Sequence, residues 1–112
     1  MSRIDDGPVV RLVLSGELDI SSTVAFELQL LTAEASSPSV LVLDLAQLRF
    51  MGVTGLRAIL QSARRARREK RRVVVTNAVP HITRLFELTA IDQSIELLTE
   101  PLRPVAADSS LA

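Results

Sequence analysis

Three short aliphatic runs constrain the fold of this 112-residue sequence more than any other feature. They occupy residues 9–14, 40–43 and 73–75, and they are apolar at nearly every position instead of alternate ones. Strands with this composition are buried on both faces, as in parallel sheets covered by helices. Helix-length stretches separate the runs, and parallel neighbours need crossovers of about that length. We therefore predict an α/β domain with a mostly parallel, four-stranded sheet whose last strand is 95–98.

The spacing of apolar residues predicts one helix in each connection. The first covers about 22–35, the second opens at the glycines 52 and 55, and the third covers about 79–90. The first strand is expected to end at Gly16, and residues 45–51 are expected to form a loop anchored by apolar side chains. The first helix is predicted from Val24, Leu28, Leu31 and Ala35, which recur at helical spacing.

The two ends of the chain carry different signals. Asp5–Asp6–Gly7–Pro8 is typical of a turn, so Ser2 to Ile4 are candidates for an extra N-terminal edge strand. Residues 100–112 contain two prolines and no apolar period, which predicts a flexible tail. The predicted organisation is therefore one domain over 1–99 and a tail over 100–112.

Composition excludes several classes of function. Cysteine is absent, which excludes disulfides and thiolate chemistry. Basic and acidic residues number 13 each, whereas general nucleic-acid binders usually carry a basic excess. No apolar run approaches the roughly 20 residues of a membrane span, and no basic-then-apolar leader opens the chain. The expected location is cytoplasmic.

Few residues suggest catalysis or metal binding. His81 is the sole histidine, and it is expected to face solvent at a helix start. Asp19 and Asp44 follow predicted strand ends, which share one edge of a parallel sheet. Two carboxylates there could bind Mg²⁺, or they could cap and position the following loops. No nucleophile, base and orienting group assemble, so we expect no enzyme activity, no cofactor and no metal.

A basic cluster occupies residues 57–72, where eight basic residues accompany a single acid, Glu69. One interpretation is a solvated helix end, favoured by the negative end of the helix dipole. The alternatives are an acidic protein partner or nucleic acid. Nucleic acid is the least favoured of the three because neither a groove-reading motif nor interleaved aromatic residues accompany the charges.

One stretch resembles a known family. Residues 44–56, Asp-Leu-Ala-Gln-Leu-Arg-Phe-Met-Gly-Val-Thr-Gly-Leu, resemble the STAS domain, the fold of anti-sigma factor antagonists. Gly16-Glu17-Leu18-Asp19 is similar to the turn that follows the first long strand in that family. Residues 73–80 are similar to the family's third-strand passage, and residues 86–91 to the end of its last helix. The resemblance covers about residues 8–98 in the same element order.

The resemblance implies a phosphorylation switch, but this chain lacks the serine that accepts the phosphate. In that family the second long helix opens with Asp-Ser-Ser/Thr-Gly, and a partner kinase that is also an anti-sigma factor phosphorylates the first serine. The matching residues here are Gly52, Val53, Thr54 and Gly55. Val53 has no hydroxyl. Either the domain binds its partner without this regulation, or Thr54 accepts the phosphate; the structural alternative for Thr54 is a second capping role.

The resemblance thus implies a non-enzymatic module that binds an anti-sigma factor or kinase-type regulator. One alternative is a STAS-like accessory subunit of a membrane transport ATPase, including lipid-trafficking ones. Another is a nucleotide- or nucleic-acid-binding module. The predicted partner-binding residues are Asp19, Ile20, Ser21, Gly52, Val53, Thr54 and Arg57.

Overall fold

A computed structural model of the chain describes residues 1–89 and 95–98. Its strands and helices follow one another in the predicted alternation. In chain order they are β1 (Ser2–Asp6), β2 (Val9–Leu18), α1 (Ile20–Ala35), β3 (Val40–Met51), α2 (Val53–Arg68), β4 (Arg72–Thr76), α3 (Pro80–Thr89) and β5 (Ile95–Leu98).

The five strands form one sheet in the order β1-β2-β3-β4-β5. β1 pairs antiparallel with β2 across a turn in which Gly7 adopts a positive φ of 60°. The other three neighbouring pairs are parallel. This architecture confirms the mostly parallel sheet and the additional N-terminal edge strand.

The three helices share one core on one face of the sheet. The expected burial of the strands on both faces is therefore wrong for β2 and β3, along which buried residues alternate with half-buried ones. Each parallel crossover moves one strand further in the same direction, and right-handed crossovers of this kind place their helices on the same side. A single cluster of buried residues accordingly joins alternate positions of the central strands to all three helices. Its members include Leu12, Leu14, Leu41, Leu43, Val73 and Val75 from the sheet, with Phe26, Leu30, Ile59, Ala63, Ile82 and Phe86 from the helices.

The loop predicted over residues 45–51 is wrong, because β3 continues as a strand to Met51. β2 likewise runs past Gly16 to Leu18 and pairs with this extension. The register shifts twice along the pair, between Val13 and Ser15 and again after Gly16. Such irregularities insert residues and turn side chains to new directions. They break the period-two pattern, which explains why the spacing of apolar residues concealed the strand.

α1 does not turn toward the core the apolar residues whose spacing predicted it. The buried residues of α1 are Thr23, Phe26, Leu30 and Ala33. Val24, Leu28 and Leu31 are instead 64%, 61% and 49% exposed, and Ala35 is exposed. α1 is apolar on two faces, and both faces satisfy helical spacing. Periodicity alone therefore could not choose which face meets the sheet.

The other helices agree with prediction. α2 buries Leu56, Ile59, Ala63 and Ala66, as expected. α3 buries Ile82 and Phe86 within one residue of the predicted bounds at each end. The predicted tail over 100–112 lies outside the described residues. No helix in the described part of the chain is long and apolar enough to cross a membrane.

The first turn of α2 packs so closely on β2 that it requires glycine. A Cβ atom at Gly55 would lie 2.9 Å from the Leu18 Cβ and 3.3 Å from the Met51 Cγ. We expect Gly55→Val to lower the free energy of unfolding by about 3 kcal/mol, the upper range for overpacking. Urea denaturation measures this loss. The control Ala25→Val, at an exposed site on α1, should cost only a few tenths of a kcal/mol. Equal losses in the two variants would contradict the close packing.

Candidate functional site

Asp19 fixes the start of α1. One oxygen of its carboxylate, Oδ1, accepts hydrogen bonds from the backbone N–H groups of Ser21 (3.0 Å) and Ser22 (3.1 Å). The Ser22 hydroxyl accepts in return from the Asp19 N–H, which completes a capping box. The hydrogen bond from the Ser21 hydroxyl, supported by the backbone bonds, holds the pKa of Asp19 below its ordinary value. Asp19 and Ser21 thus shape the turn between β2 and α1.

Gly52 joins the end of the sheet to the start of α2. Its N–H donates to the Leu18 carbonyl at 2.8 Å, and its own carbonyl accepts from Leu56 at 3.1 Å. The residue is extended and offers no side-chain cap to the helix. Glycine is tolerated at such a position at a cost of a few tenths of a kcal/mol. Val53, the first residue of α2, therefore projects from a backbone anchored on both sides.

Thr54 links the two helix starts. Its hydroxyl lies 3.1 Å from the hydroxyl of Thr23. The Thr23 hydroxyl donates its one proton to the Asp19 carbonyl at 2.6 Å, so Thr54 is the donor between the two threonines. The hydroxyl that the sequence singled out for phosphorylation or capping is therefore hydrogen-bonded to α1.

The structure brings the predicted residues together at one end of the molecule. Asp19, Ile20, Gly52, Val53 and Thr54 line one shallow pocket. Arg57 lies in the adjoining groove, which Ile20 and Thr54 also line. Ser21 is exposed beside them but borders neither cavity.

Phe50 is a residue of this pocket that sequence reasoning assigned differently. It was expected to anchor a buried loop, yet its side chain is 48% exposed and lines the pocket. Ile20 and Val53 beside it are 80% and 69% exposed. The available signal was an aromatic residue two positions before a glycine, and the wrong loop assignment hid it. We name Ile20, Phe50 and Val53 the apolar patch.

A second missed feature runs along α1. Ile20, Val24, Leu28 and Leu31 are all exposed and recur at intervals of four, four and three residues. We name these four residues the α1 stripe; it shares Ile20 with the apolar patch. The stripe borders a groove whose opposite wall is α2. Helical spacing identifies three of these four residues, but it does not show that they face solvent, so this surface could not be predicted from the sequence.

An ion pair closes the far end of that groove. The Glu34 carboxylate on α1 accepts from Arg65 Nε (2.7 Å) and Nη2 (2.8 Å), and from the Ser62 hydroxyl (2.7 Å), all on α2. Burial alone would raise the pKa of Glu34. The hydrogen bonds from Arg65 and Ser62 outweigh that effect and hold the pKa below its ordinary value. The bidentate geometry fixes the two helices relative to each other.

The remaining candidates for metal binding or catalysis have structural roles. Asp44 accepts from the backbone N–H of Ala46 (3.0 Å) and from the Asn77 amide (3.3 Å). His81 is exposed, and its Nε2 lies 3.0 Å from the Arg49 carbonyl oxygen. Within residues 1–89 and 95–98, no group of three or more histidine or acidic side chains has a metal-binding arrangement.

Part of the basic cluster is neutralised within the fold. Arg65 pairs with Glu34, Arg71 with Glu69, and Arg72 with Glu96. The hydrogen bonds from Arg72 lower the pKa of Glu96, which ties β4 to β5. These pairs favour the interpretation of the cluster as a charged helix end over that of a free nucleic-acid surface.

Comparison with known proteins decides the family. The family model described as "Mlab, STAS domain" matches residues 3–100, nearly the whole described fold. The chain belongs to the STAS domain family. The resemblance seen in the sequence is thereby confirmed. A search of curated proteins found no match.

Solved structures show the same fold for this STAS domain. An anti-sigma factor antagonist from Mycobacterium paratuberculosis is 26% identical, with a TM-score of 0.74 over 97% of this chain and 90% of that one. Unphosphorylated SpoIIAA, also an anti-sigma factor antagonist, is 17% identical, with a TM-score of 0.70 over 96% and 93%. The phosphorylated form of the Bacillus cell fate determinant SpoIIAA is 19% identical, with a TM-score of 0.68 over 97% and 96%. The STAS fold of such antagonists supports a protein-interaction role for this chain.

Because the pKa of Glu34 is lowered in the fold, the free energy of unfolding should depend on pH. Because the folded pKa lies below the unfolded one, the carboxylate stabilises the fold fully above the unfolded pKa of about 4.3. That contribution is lost as the pH falls through the folded pKa. We expect Glu34→Gln to cost about 1–2 kcal/mol at pH 7, measured by urea denaturation.

The difference between the wild type and Glu34→Gln should shrink steadily between about pH 5 and pH 3. Glu87→Gln, at an exposed position on α3, is the matched control and should differ from wild type by less than about 0.5 kcal/mol. A difference for Glu34→Gln that stays constant with pH would show that the carboxylate does not stabilise the helix pair through its charge.

Proposed function

We propose that this STAS domain is a non-enzymatic interaction module that acts as an anti-sigma factor antagonist. It binds an anti-sigma factor or kinase-type regulator through the start of α2 and the adjoining turn before α1. The proposed contact residues are Asp19, Ile20, Ser21, Gly52, Val53, Thr54 and Arg57. The likeness of the whole chain to an anti-sigma factor antagonist at 26% identity supports this type of partner.

The observation that carries the proposal is the apolar patch. Three large apolar side chains surround the start of α2 and are exposed to water in the free chain. A bound partner would remove them from water. Contiguous exposed apolar surface on a small domain marks a site of interaction. Arg57 adds a charge at the rim, which is typical of the polar border of a protein interface.

The same patch supports binding without the serine switch of the family. A phosphate at position 53 would bring nearly two negative charges to a surface that the partner must desolvate. Val53 offers a methyl surface there and cannot be phosphorylated. Thr54, the neighbouring hydroxyl, is engaged by Thr23, so its modification would first break the bond between the helix starts. The proposed complex is therefore constitutive.

The rest of the proposal follows from the kind of partner. Binding requires neither cofactor nor metal, and the regulator lies in the cytoplasm, where anti-sigma factors act on transcription. The first backbone N–H groups of α2 have no partner within the helix, and in this proposal they lie at the interface with the regulator.

A second candidate partner is the ATPase of a membrane transporter, which other STAS-like subunits accompany. One observation favours keeping it: the matched family model is that of the Mlab STAS domain. The absence of the serine at Val53 is compatible with either partner. Both candidates use the same surface of the chain, and the identity of the captured protein separates them.

A pair of charge substitutions tests the placement of the site. Tagged protein captures its partner from nuclease-treated lysate of its own organism, and the affinity of the purified pair is then measured. We expect Val53→Asp to weaken binding by about tenfold or more, because the carboxylate must be desolvated on contact. An acid in the first turn suits the helix dipole, so the fold should tolerate the change.

Leu88→Asp is the matched control. Leu88 is 72% exposed on α3 and lines neither the pocket at the start of α2 nor the adjoining groove. Its substitution should leave affinity within about a factor of two. If Val53→Asp also left affinity within that factor, the site would not lie at the start of α2.

A further inference from the structure

α1 carries more apolar surface than its packing on the sheet uses. Thr23, Phe26 and Leu30 meet the core, while the α1 stripe faces away from it over three turns. A surface helix of a globular protein normally shows one apolar stripe and a polar opposite face. The second stripe is thus an unpartnered helix face within the described part of the chain.

The stripe forms one wall of a continuous groove. Two adjoining cavities of about 310 and 250 Å³ lie between α1 and α2, and both are lined by Val24, Glu27 and Gln61. Thr54, Arg57, Ala58 and Arg65 complete the α2 side. From Ile20 to Leu31 the helix rises about 17 Å, the length of three helical turns. A groove of this length matches one short helix laid along it.

The charges of the two walls differ. Two arginines of α2 line the groove, Arg57 and Arg65. Arg65 is already paired with Glu34, so Arg57 is the cation that an occupant meets. α1 contains no basic residue, and its acids are Glu27 in the groove and Glu34 at the closed end. An occupant therefore meets apolar side chains and Glu27 on the α1 wall, and the positive charge of Arg57 on the α2 wall.

We propose that this groove binds an amphipathic helix of a partner protein, with an apolar face on the α1 stripe and acidic residues along the flank facing α2. The inference rests on the proposed function, because the groove continues from the pocket at the start of α2 through Ile20 and Thr54, which line both. It adds the shape and the charge of the partner segment.

Synthetic peptides supply a defined probe. The first is a helix of about 18 residues with leucines three and four apart and glutamates along one flank; the second carries lysines in place of the glutamates. Each is titrated into the ¹⁵N-labelled full chain and followed by NMR. We expect the acidic peptide to shift the amide signals of α1 and of Arg57, with a Kd of about 0.1 mM or tighter. The lysine peptide should bind about tenfold more weakly.

Two leucine substitutions locate the contact. Leu28→Glu places a charge in the middle of the α1 stripe and should weaken the affinity for the acidic peptide by about tenfold. Leu88→Glu makes the same change at an exposed helical site on α3 and should leave the affinity within about a factor of two. Both sites are exposed, and circular dichroism confirms that each variant is folded.

Three results would contradict the proposal that the groove binds a partner helix. They are the absence of shifts on α1, equal affinity for the acidic and basic peptides, and a dimer in sedimentation that Leu28→Glu dissociates without peptide. The last result would show that a second copy of the chain covers the stripe.

The capture experiment separates this inference from the proposed function. If Val53→Asp loses the partner while Leu28→Glu retains it, the groove is not used and the site at the α2 start stands. If both variants retain the partner, the proposed site itself is wrong.

Discussion

The close approach of the first turn of α2 to the end of β2 is the contact on which the rest of the structure depends. Gly55 leaves no room for a side chain against Leu18, and the Gly52 N–H is hydrogen-bonded to the Leu18 carbonyl. This contact fixes where α2 begins and how its axis leaves the sheet. Thr54 then reaches the hydroxyl of Thr23, so the same turn also positions the start of α1. The two helix starts and the strand ends form one rigid corner.

That corner explains why an apolar surface can remain exposed without loss of order. Ile20, Phe50 and Val53 project from backbone that is held by caps, strand pairing and the threonine bond. At the opposite end of the groove, Glu34 and Arg65 hold the helices together. A binding surface whose geometry is fixed before contact loses less conformational entropy on association. The structure therefore presents a preorganised surface suited to a stable complex.

Sequence reasoning succeeded where one physical requirement decided the outcome. Runs such as 40–43 predicted parallel strands, and the pairing of β3 with both its neighbours is parallel. Burial on both faces was not borne out, because Val40 and Val42 are only half-buried on the face without helices. Gly52 to Gly55 identified the start of α2. It failed where two arrangements satisfied the same pattern. α1 has two apolar faces of equal periodicity, and only the tertiary packing of Phe26 chooses between them. The bulged pairing of β2 with β3 breaks the alternation of buried residues. The spacing of Leu45 and Leu48 therefore did not indicate a strand. The placement of Ile20 and Val53 at one site followed from the family resemblance, whereas the exposure of Phe50 required coordinates.

The central claim is that the start of α2 binds its partner without a phosphorylation switch. The most direct measurement is the lifetime of the complex between the chain and its captured kinase-type partner, with and without Mg²⁺-ATP, for the wild type and Val53→Ser. The account predicts that ATP leaves the wild-type complex unchanged, while it phosphorylates the new serine and shortens the lifetime of the Val53→Ser complex. Release of the wild-type chain by ATP, with phosphate found on Thr54, would contradict it.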